Sequence, residues 1–293
     1  MWTTLIMLAA GAGAIAGLIK MKQGEDWGKG VVIACAILAI LLAAYNTNKR
    51  MNGGKISQKD IARRQANNAA YQEVSGEKLG LELARKFPGA KAVVIRPTEI
   101  TDIDPAIPAL GYGEEAARRL AGLKRGFSDV IEILTVVHPP VTDDMRANME
   151  YVKQNYKDQT GGEDVPPEDY LMSLGNYGVL DVDEFNAATS AIPSDATMVV
   201  VLSDFPYELE KLDLWKKKLT VAGIITAIPP KMPAAIEAGY ISALVITSPK
   251  ADYLSLDLPE NMEERFNRRF LFITPENLKA VAEANEKLFP KAK

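Results

Sequence analysis

Hydrophobic and polar positions divide this chain into two unlike regions. Residues 2–19 and 31–45 are apolar runs, the second extended if it takes in Gly28 to Gly30. Runs of roughly 17 to 25 apolar residues span a hydrocarbon core. Beyond them no uninterrupted apolar stretch of comparable length recurs. Instead, short β-rich runs appear at 92–95, 131–137, 198–202, 222–227, 241–246 and 270–273, each followed closely by proline. Between them lie helical patterns, clearest at 114–125, 144–156, 182–191, 208–218, 232–238 and 276–288.

Near-continuous Val, Ile and Leu runs imply strands buried on both faces, and strand alternating with helix implies a parallel sheet built by right-handed crossovers. The expected fold is α/β: a doubly wound, Rossmann-like or flavodoxin-like, mostly parallel sheet of about six strands, preceded by an N-terminal transmembrane helical hairpin. Proline suits the strand-to-helix junctions, because its fixed φ fits a first helical position and its missing N–H would be unpaired there anyway. The expected domains are 1–46, a hairpin of two transmembrane helices; 47–88, a juxtamembrane helical linker; and 89–293, the α/β domain. Within the linker, Gly76 and Gly80 interrupt an irregular apolar face, which predicts one helix and then a second over 77–86, closed by Pro88-Gly89.

The hairpin rests on further detail. No basic residue precedes the first run, unlike a secretory signal peptide. Its glycines resemble a dinucleotide fingerprint, but no acidic residue stands about 20 positions on, where a ribose would need one. Ala9, Gly13 and Gly17 fit better as a small-residue stripe for close helix packing. The short 20–29 loop makes the helices antiparallel and returns the chain to the side on which it began. Lys49, Arg50, Lys55 and Lys59 at the exit outweigh Lys20, Lys22 and Lys29 in the loop, which leans the domain to the cytoplasmic face of a bacterial inner membrane. The single cysteine, Cys35, falls in the second run, so no disulfide framework exists.

Charge adds a partner class and removes another. Residues 1–64 carry nine Lys/Arg and three acids, a net of +6; with −4 for the whole chain, −10 remains for the body. A basic collar beside an apolar hairpin suits a lipid bilayer, while an acidic body argues against nucleic acid.

Ligands of open α/β sheets sit outside the carboxyl ends of the strands, near the switch in strand order. The polar residues there are Arg96, Thr98, Glu99, Asp102 and Asp104; His138 and Asp143; Ser203 and Asp204; Lys231; and Thr247, Ser248 and Lys250. They compose no familiar catalytic set. Ser203 lacks the glycines of a nucleophile elbow, no phosphate-binding loop of Walker spacing occurs, and one histidine makes a poor metal site. No cofactor and no metal are expected. Thr142 or Asp143, and Asp181 or Asp183, are placed as helix caps rather than as ligands.

One segment resembles a known family. Residues 183–249 alternate helix, the strand Met198-Val199-Val200-Val201-Leu202, helix and Gly223-Ile224-Ile225, then run through Ala238-Gly239-Tyr240-Ile241-Ser242-Ala243 into a further strand. This order is similar to a lobe of the type I periplasmic-binding-protein superfamily. The resemblance implies a small-ligand-binding or sensing lobe, with Ser203, Asp204, Ile228, Thr247 and Ser248 where a ligand is met. Together with the strand-end inventory, the candidate ligand-binding residues are Arg96, Asp102, His138, Ser203, Asp204, Ile228, Thr247 and Ser248.

The expected function is a membrane-anchored, non-catalytic domain that binds or senses a small molecule. The alternative is a self-assembling scaffold, in which the irregular stretches 157–176 and 250–269 serve as assembly arms and the chain is a homo-oligomer. An enzyme, with His138 as base and Asp204 as its orienter, comes third.

Overall fold

The computed structural model describes residues 58–98, 100–104, 111–161 and 180–289. The hairpin, the stripe of Ala9, Gly13 and Gly17, Cys35 and most of the 157–176 stretch lie outside the described residues. Among the described residues, no helix is long and apolar enough to cross a membrane. The chain divides into two compact units, 1–62 and 63–293; the second is the α/β body.

In chain order the elements are α1 (Gln58–Lys86), β1 (Lys91–Ile95), α2 (Ile100–Ile103), α3 (Gly111–Phe127), β2 (Glu132–Val137), α4 (Asp143–Thr160), α5 (Val182–Ser190), β3 (Met198–Val201), β4 (Thr220–Ile225), α6 (Met232–Glu237), β5 (Ile241–Thr247), α7 (Met262–Arg269), β6 (Phe270–Ile273) and α8 (Leu278–Ala284). The strands form one sheet in the order β2-β1-β3-β4-β5-β6, parallel except at its last pair. All six expected strands are present, within two residues at each end.

Alternate residues of each strand build two cores. Val93, Ile95, Val199, Val201 and Leu244 face one side with Phe185 of α5 and Ile236 of α6. Ala92, Val94, Val200, Ile224 and Val245 face the other with Tyr71, Leu79 and Leu83 of α1, Leu123 and Phe127 of α3, and Phe266 of α7. The sheet is therefore sandwiched between helices, and the interiors of its central strands are almost wholly apolar because both faces are covered.

The mostly parallel, six-stranded sheet is as expected, and the structure refines or corrects the sequence in four places. β6 pairs antiparallel with β5: the chain crosses back over 250–261, caps α7 with Asn261, and passes from Arg269 directly into Phe270 with no loop to reverse it. Residues 208–218 are two short 3₁₀ turns, Leu209–Lys211 and Asp213–Lys216, not an α-helix. Leu212 between them is extended, the Asn186 side chain takes up Asp213 N–H and Lys211 C=O, and the Trp215 indole donates to Leu209 C=O. Those side chains replace the intrahelical bonds. The last helix is shorter than 276–288: Asn277, which accepts from Thr274 N–H and donates to Phe272 C=O, delays its start, and Asn285 separates it from the 3₁₀ turn Glu286–Leu288.

The fourth correction concerns Gly76 and Gly80. They do not break the helix; α1 runs through both. A Cβ on Gly76 would lie 2.0 Å from the Arg119 carbonyl oxygen of α3, and one on Gly122 of α3 would lie 1.9 Å from the Glu73 carbonyl oxygen of α1. Gly80 and Gly126 meet in the same crossing, so two glycine pairs spaced by four interlock at backbone contact. Around it Arg118 and Arg125 of α3 pair with Glu73 of α1, and Arg125 also with Glu77. Burial would raise the Glu73 carboxyl, but the two guanidiniums hold it below its ordinary value.

Beyond β6, Glu276 is bound by the Thr274 hydroxyl, by its own backbone and by Lys86 of α1, which together bring its pKa down to about 2. A depressed folded-state pKa stabilises above the unfolded value, here near 4.5, and that contribution is lost as pH falls toward 2. Glu276→Gln is accordingly expected to lower the melting temperature at pH 7, with the gap to wild type closing between pH 4.5 and 2. A gap that is constant with pH in thermal melts would contradict this.

Candidate functional site

The strand order places the topological switch at β1, whose neighbours β2 and β3 lie on opposite sides. The carboxyl ends of β1, β2 and β3 therefore form the crevice where a ligand of an open sheet is expected.

On the β1–β2 side, Arg96 N–H extends the ladder to Val137 C=O, fixing the Arg96 side chain above the strand end. Its guanidinium grips Asp102 at the start of α2 in a fork, Nη1 to Oδ2 at 2.6 Å and Nη2 to Oδ1 at 2.9 Å, and also donates to Pro97 C=O. His138, the residue after β2, brings Nε2 to 3.9 Å from Asp102 Oδ1. Its Nδ1 lies 2.8 Å from Pro139 C=O, an acceptor only, so Nδ1 carries the proton. The same carbonyl accepts from the buried Thr98 hydroxyl, which ties the two strand exits together. Asp104 is held by Lys153 of α4. Arg96, Asp102 and His138 are thus one cluster, two-thirds or more buried.

The β3 exit has a different character. Ser203 is 4% exposed, and its buried hydroxyl has no hydrogen-bond partner. An orphaned hydroxyl in a native interior is uncommon enough to need an explanation. Beside it, Leu202 C=O faces Arg119 Nη1 at 3.5 Å. Arg119, on α3, is 6% exposed; its Nε donates to Gln72 of α1 at 2.8 Å and its Nη2 pairs with Glu115 at 3.4 Å. Asn68 of α1 donates to Glu115 and accepts from Arg269, whose guanidinium stacks on Tyr71 and Tyr253. Burial lowers the Arg269 pKa, an effect the nearby rings and carboxylates only partly offset. A continuous polar network thus runs from the end of β5 across α1 and α3 to the end of β3.

The other candidate residues make contacts within the fold. Asp204 accepts from Thr226 N–H at 2.5 Å, from the Thr226 hydroxyl, and from Ala227 N–H at 3.3 Å, clasping the exits of β3 and β4. Its carboxylate is occupied. Amide exchange at Thr226 and Ala227 is expected to accelerate at least tenfold in Asp204→Ala, the loss of about 1.4 kcal/mol of local stability; unchanged exchange would show the clasp to be dispensable. Ile228 is buried in the apolar core, Thr247 pairs with Phe270 in the last ladder, and the Ser248 hydroxyl caps Lys250 N–H. Thr142 and Asp181 act as helix caps, the latter in a capping box with Glu184. Among the described residues, no group of three or more His, Cys, Asp or Glu could hold a metal ion.

Comparison with known proteins follows from this geometry. Among solved structures, several sugar- or cyclitol-binding proteins are similar to this chain at low sequence identity. A galactofuranose binding protein is 12% identical, with a TM-score of 0.36, over 76% of this chain and 64% of that one. A Caulobacter myo-inositol binding protein is 17% identical, with a TM-score of 0.36, over 73% and 62%. An arabinose binding protein from Geobacillus stearothermophilus is 11% identical, with a TM-score of 0.36, over 71% and 62%. The chain thus spans less than two thirds of the length of the solved structures it matches. No family model and no curated protein sequence matches it.

Arg119, Gln72 and Arg269 are the site residues that strand-end reasoning passes over, because they come from helices. A signal for Arg119 was present: Ala116, Arg119, Leu123 and Phe127 recur at helical spacing and all four are buried, so Arg119 sits on the inward stripe.

Proposed function

We propose that the α/β body is a non-catalytic module that binds a small polar ligand at the carboxyl ends of β1 and β3, held at a membrane by residues 1–46. The observation that supports it most is the unpartnered Ser203 hydroxyl, buried at the switch point beside the Arg119 network. A ligand hydroxyl or carbonyl reaching Ser203 would satisfy it, and the Arg96–Asp102 fork offers a matching donor and acceptor pair directly past the end of the neighbouring strand β1. Such a site recognises a molecule with several polar groups of both kinds.

The test is a thermal-shift screen of the full chain in mild detergent against small polar metabolites, beginning with the sugars and the cyclitol named for the similar structures. One ligand class is expected to raise the melting temperature by several degrees, as binding near 100 times its Kd adds about 2.7 kcal/mol. Ser203→Val should abolish that rise while leaving the unliganded melting temperature unchanged or higher, since it removes an unsatisfied group. A response equal in Ser203→Val and wild type would refute the site.

Self-assembly is the second reading, favoured by β2. It ends the sheet with one edge unpaired in the strand order, and its residues from Ile133 to Val137 are only half-buried. A defined oligomer by light scattering that Val136→Lys dissociates would support it.

A further inference from the structure

A cavity lies at the edge of the sheet opposite the carboxyl ends of the parallel strands. It is a groove of about 520 Å³ between α1 and α7, floored by the beginning of β5 and the end of β6. That volume is within the range of small-molecule sites, roughly 300 to 1,000 Å³. Leu83, Ala243, Phe266 and Phe272 give it an apolar bed, and the small Ser242 leaves that bed deep.

Its rim carries both signs of charge in a fixed arrangement. Lys78 of α1 reaches Glu263 of α7 at 2.8 Å, and Lys86 of α1 reaches Glu276 at 3.1 Å. Burial would lower the Lys78 pKa, but the Glu263 and Glu82 carboxylates raise it, so this ammonium stays charged. Each bridge joins helix α1 to the opposite wall, and each has a partner more than half exposed. With its carboxylate more than half exposed, the Lys78–Glu263 pair contributes little, so a ligand bearing its own ammonium and carboxylate can replace it partner for partner.

We propose that this groove binds an amphipathic zwitterion of amino-acid or dipeptide size, its carboxylate on Lys78, its ammonium on Glu263, and its apolar body on Phe266 and Phe272. A zwitterion inserted in the Lys78–Glu263 bridge answers both ends, whereas a lone anion would leave Glu263 without its lysine and a lone cation would leave Lys78 with Glu82 alone. This site is separate from the one proposed at the switch point.

The test is calorimetric titration of the full chain with L-phenylalanine, 3-phenylpropionate, phenethylamine and glycine. L-Phenylalanine is expected to bind at least tenfold more tightly than each of the other three, which lack one charge or the apolar body. Lys78→Met should weaken it tenfold or more with the melting curve preserved, and Ser242→Phe, which fills the bed, should abolish it. Ser203→Val should leave it unchanged, which separates failure here from failure of the switch-point site. If Ser242→Phe does not fold, Lys78→Met decides. The proposal is overturned by absence of L-phenylalanine binding at millimolar concentration, by equal binding of all four probes, or by binding that Lys78→Met leaves intact.

Discussion

Gly122→Leu is expected to leave the α/β body unfolded at room temperature. Even the Cβ of alanine at this position would stand 1.9 Å from the Glu73 carbonyl oxygen, and the obstacle is helix backbone rather than a side chain that can turn aside. Overpacking a tight core costs about 1 to 3 kcal/mol when side chains can give way, and more when they cannot. Gly122→Ala should therefore lose roughly 3 kcal/mol or more. Leucine must separate α1 from α3, and with them the core formed by Tyr71, Leu79, Leu123 and Phe127, a loss comparable to the roughly 5 to 15 kcal/mol of a domain's total stability. Gly76→Leu should match it, since its Cβ meets the Arg119 carbonyl at 2.0 Å. Lys124→Ala, exposed on the same helix, should change stability by less than about 0.5 kcal/mol. Urea unfolding followed by circular dichroism measures all four; a Gly122→Leu protein with a wild-type midpoint would mean that the crossing is wrong.

Arg119→Ala is the second large effect. It deprives Gln72 of its partner, removes the donor facing Leu202 C=O and strands Glu115 beside Asn68. Breaking a buried, hydrogen-bonded charge costs about 2 to 4 kcal/mol. Lysine should recover less than half of this, because one ammonium cannot present three donors in the plane of the guanidinium. The ligand response of the switch-point site should fall as well, since the network sets the position of the β3 exit. Chemical denaturation gives the first number and the thermal-shift response the second. A stable Arg119→Ala protein with an intact response would remove the network from the site.

These two residues also show where sequence runs out. The strands were legible because parallel strands buried on both faces must be apolar at consecutive positions, and the run Met198-Val199-Val200-Val201 is buried at every one. The carboxyl-end position of Arg96, Ser203 and Asp204 followed from the same pattern. Glycine at 76 and 80 was misjudged because its local meaning, a helix weakened by about 1 kcal/mol per glycine, is overridden by a tertiary contact that only glycine permits. The 208–218 stretch failed for a related reason. Its leucines at 209, 212 and 214 satisfy buried positions that a regular helix would not bring to one face, and Asn186, distant in sequence, completes the backbone bonds. The direction of β6 was invisible, since apolar pattern does not encode strand polarity. The bonds of Asp204 to Thr226 and Ala227, which clasp the exits of β3 and β4, had no local signal in the sequence. Arg119 and Arg269 were hidden by the habit of reading arginine as solvent-facing, although their helical spacing with buried residues marked them.

The central claim is that a small ligand binds at the carboxyl ends of β1 and β3. Its most direct test is hydrogen-exchange mass spectrometry on the full chain with and without the ligand that raises the melting temperature. Slowed exchange over 96–104, 138–142 and 202–206 is the predicted result. Protection confined to 78–86 and 263–276, or spread evenly over the chain, would contradict it.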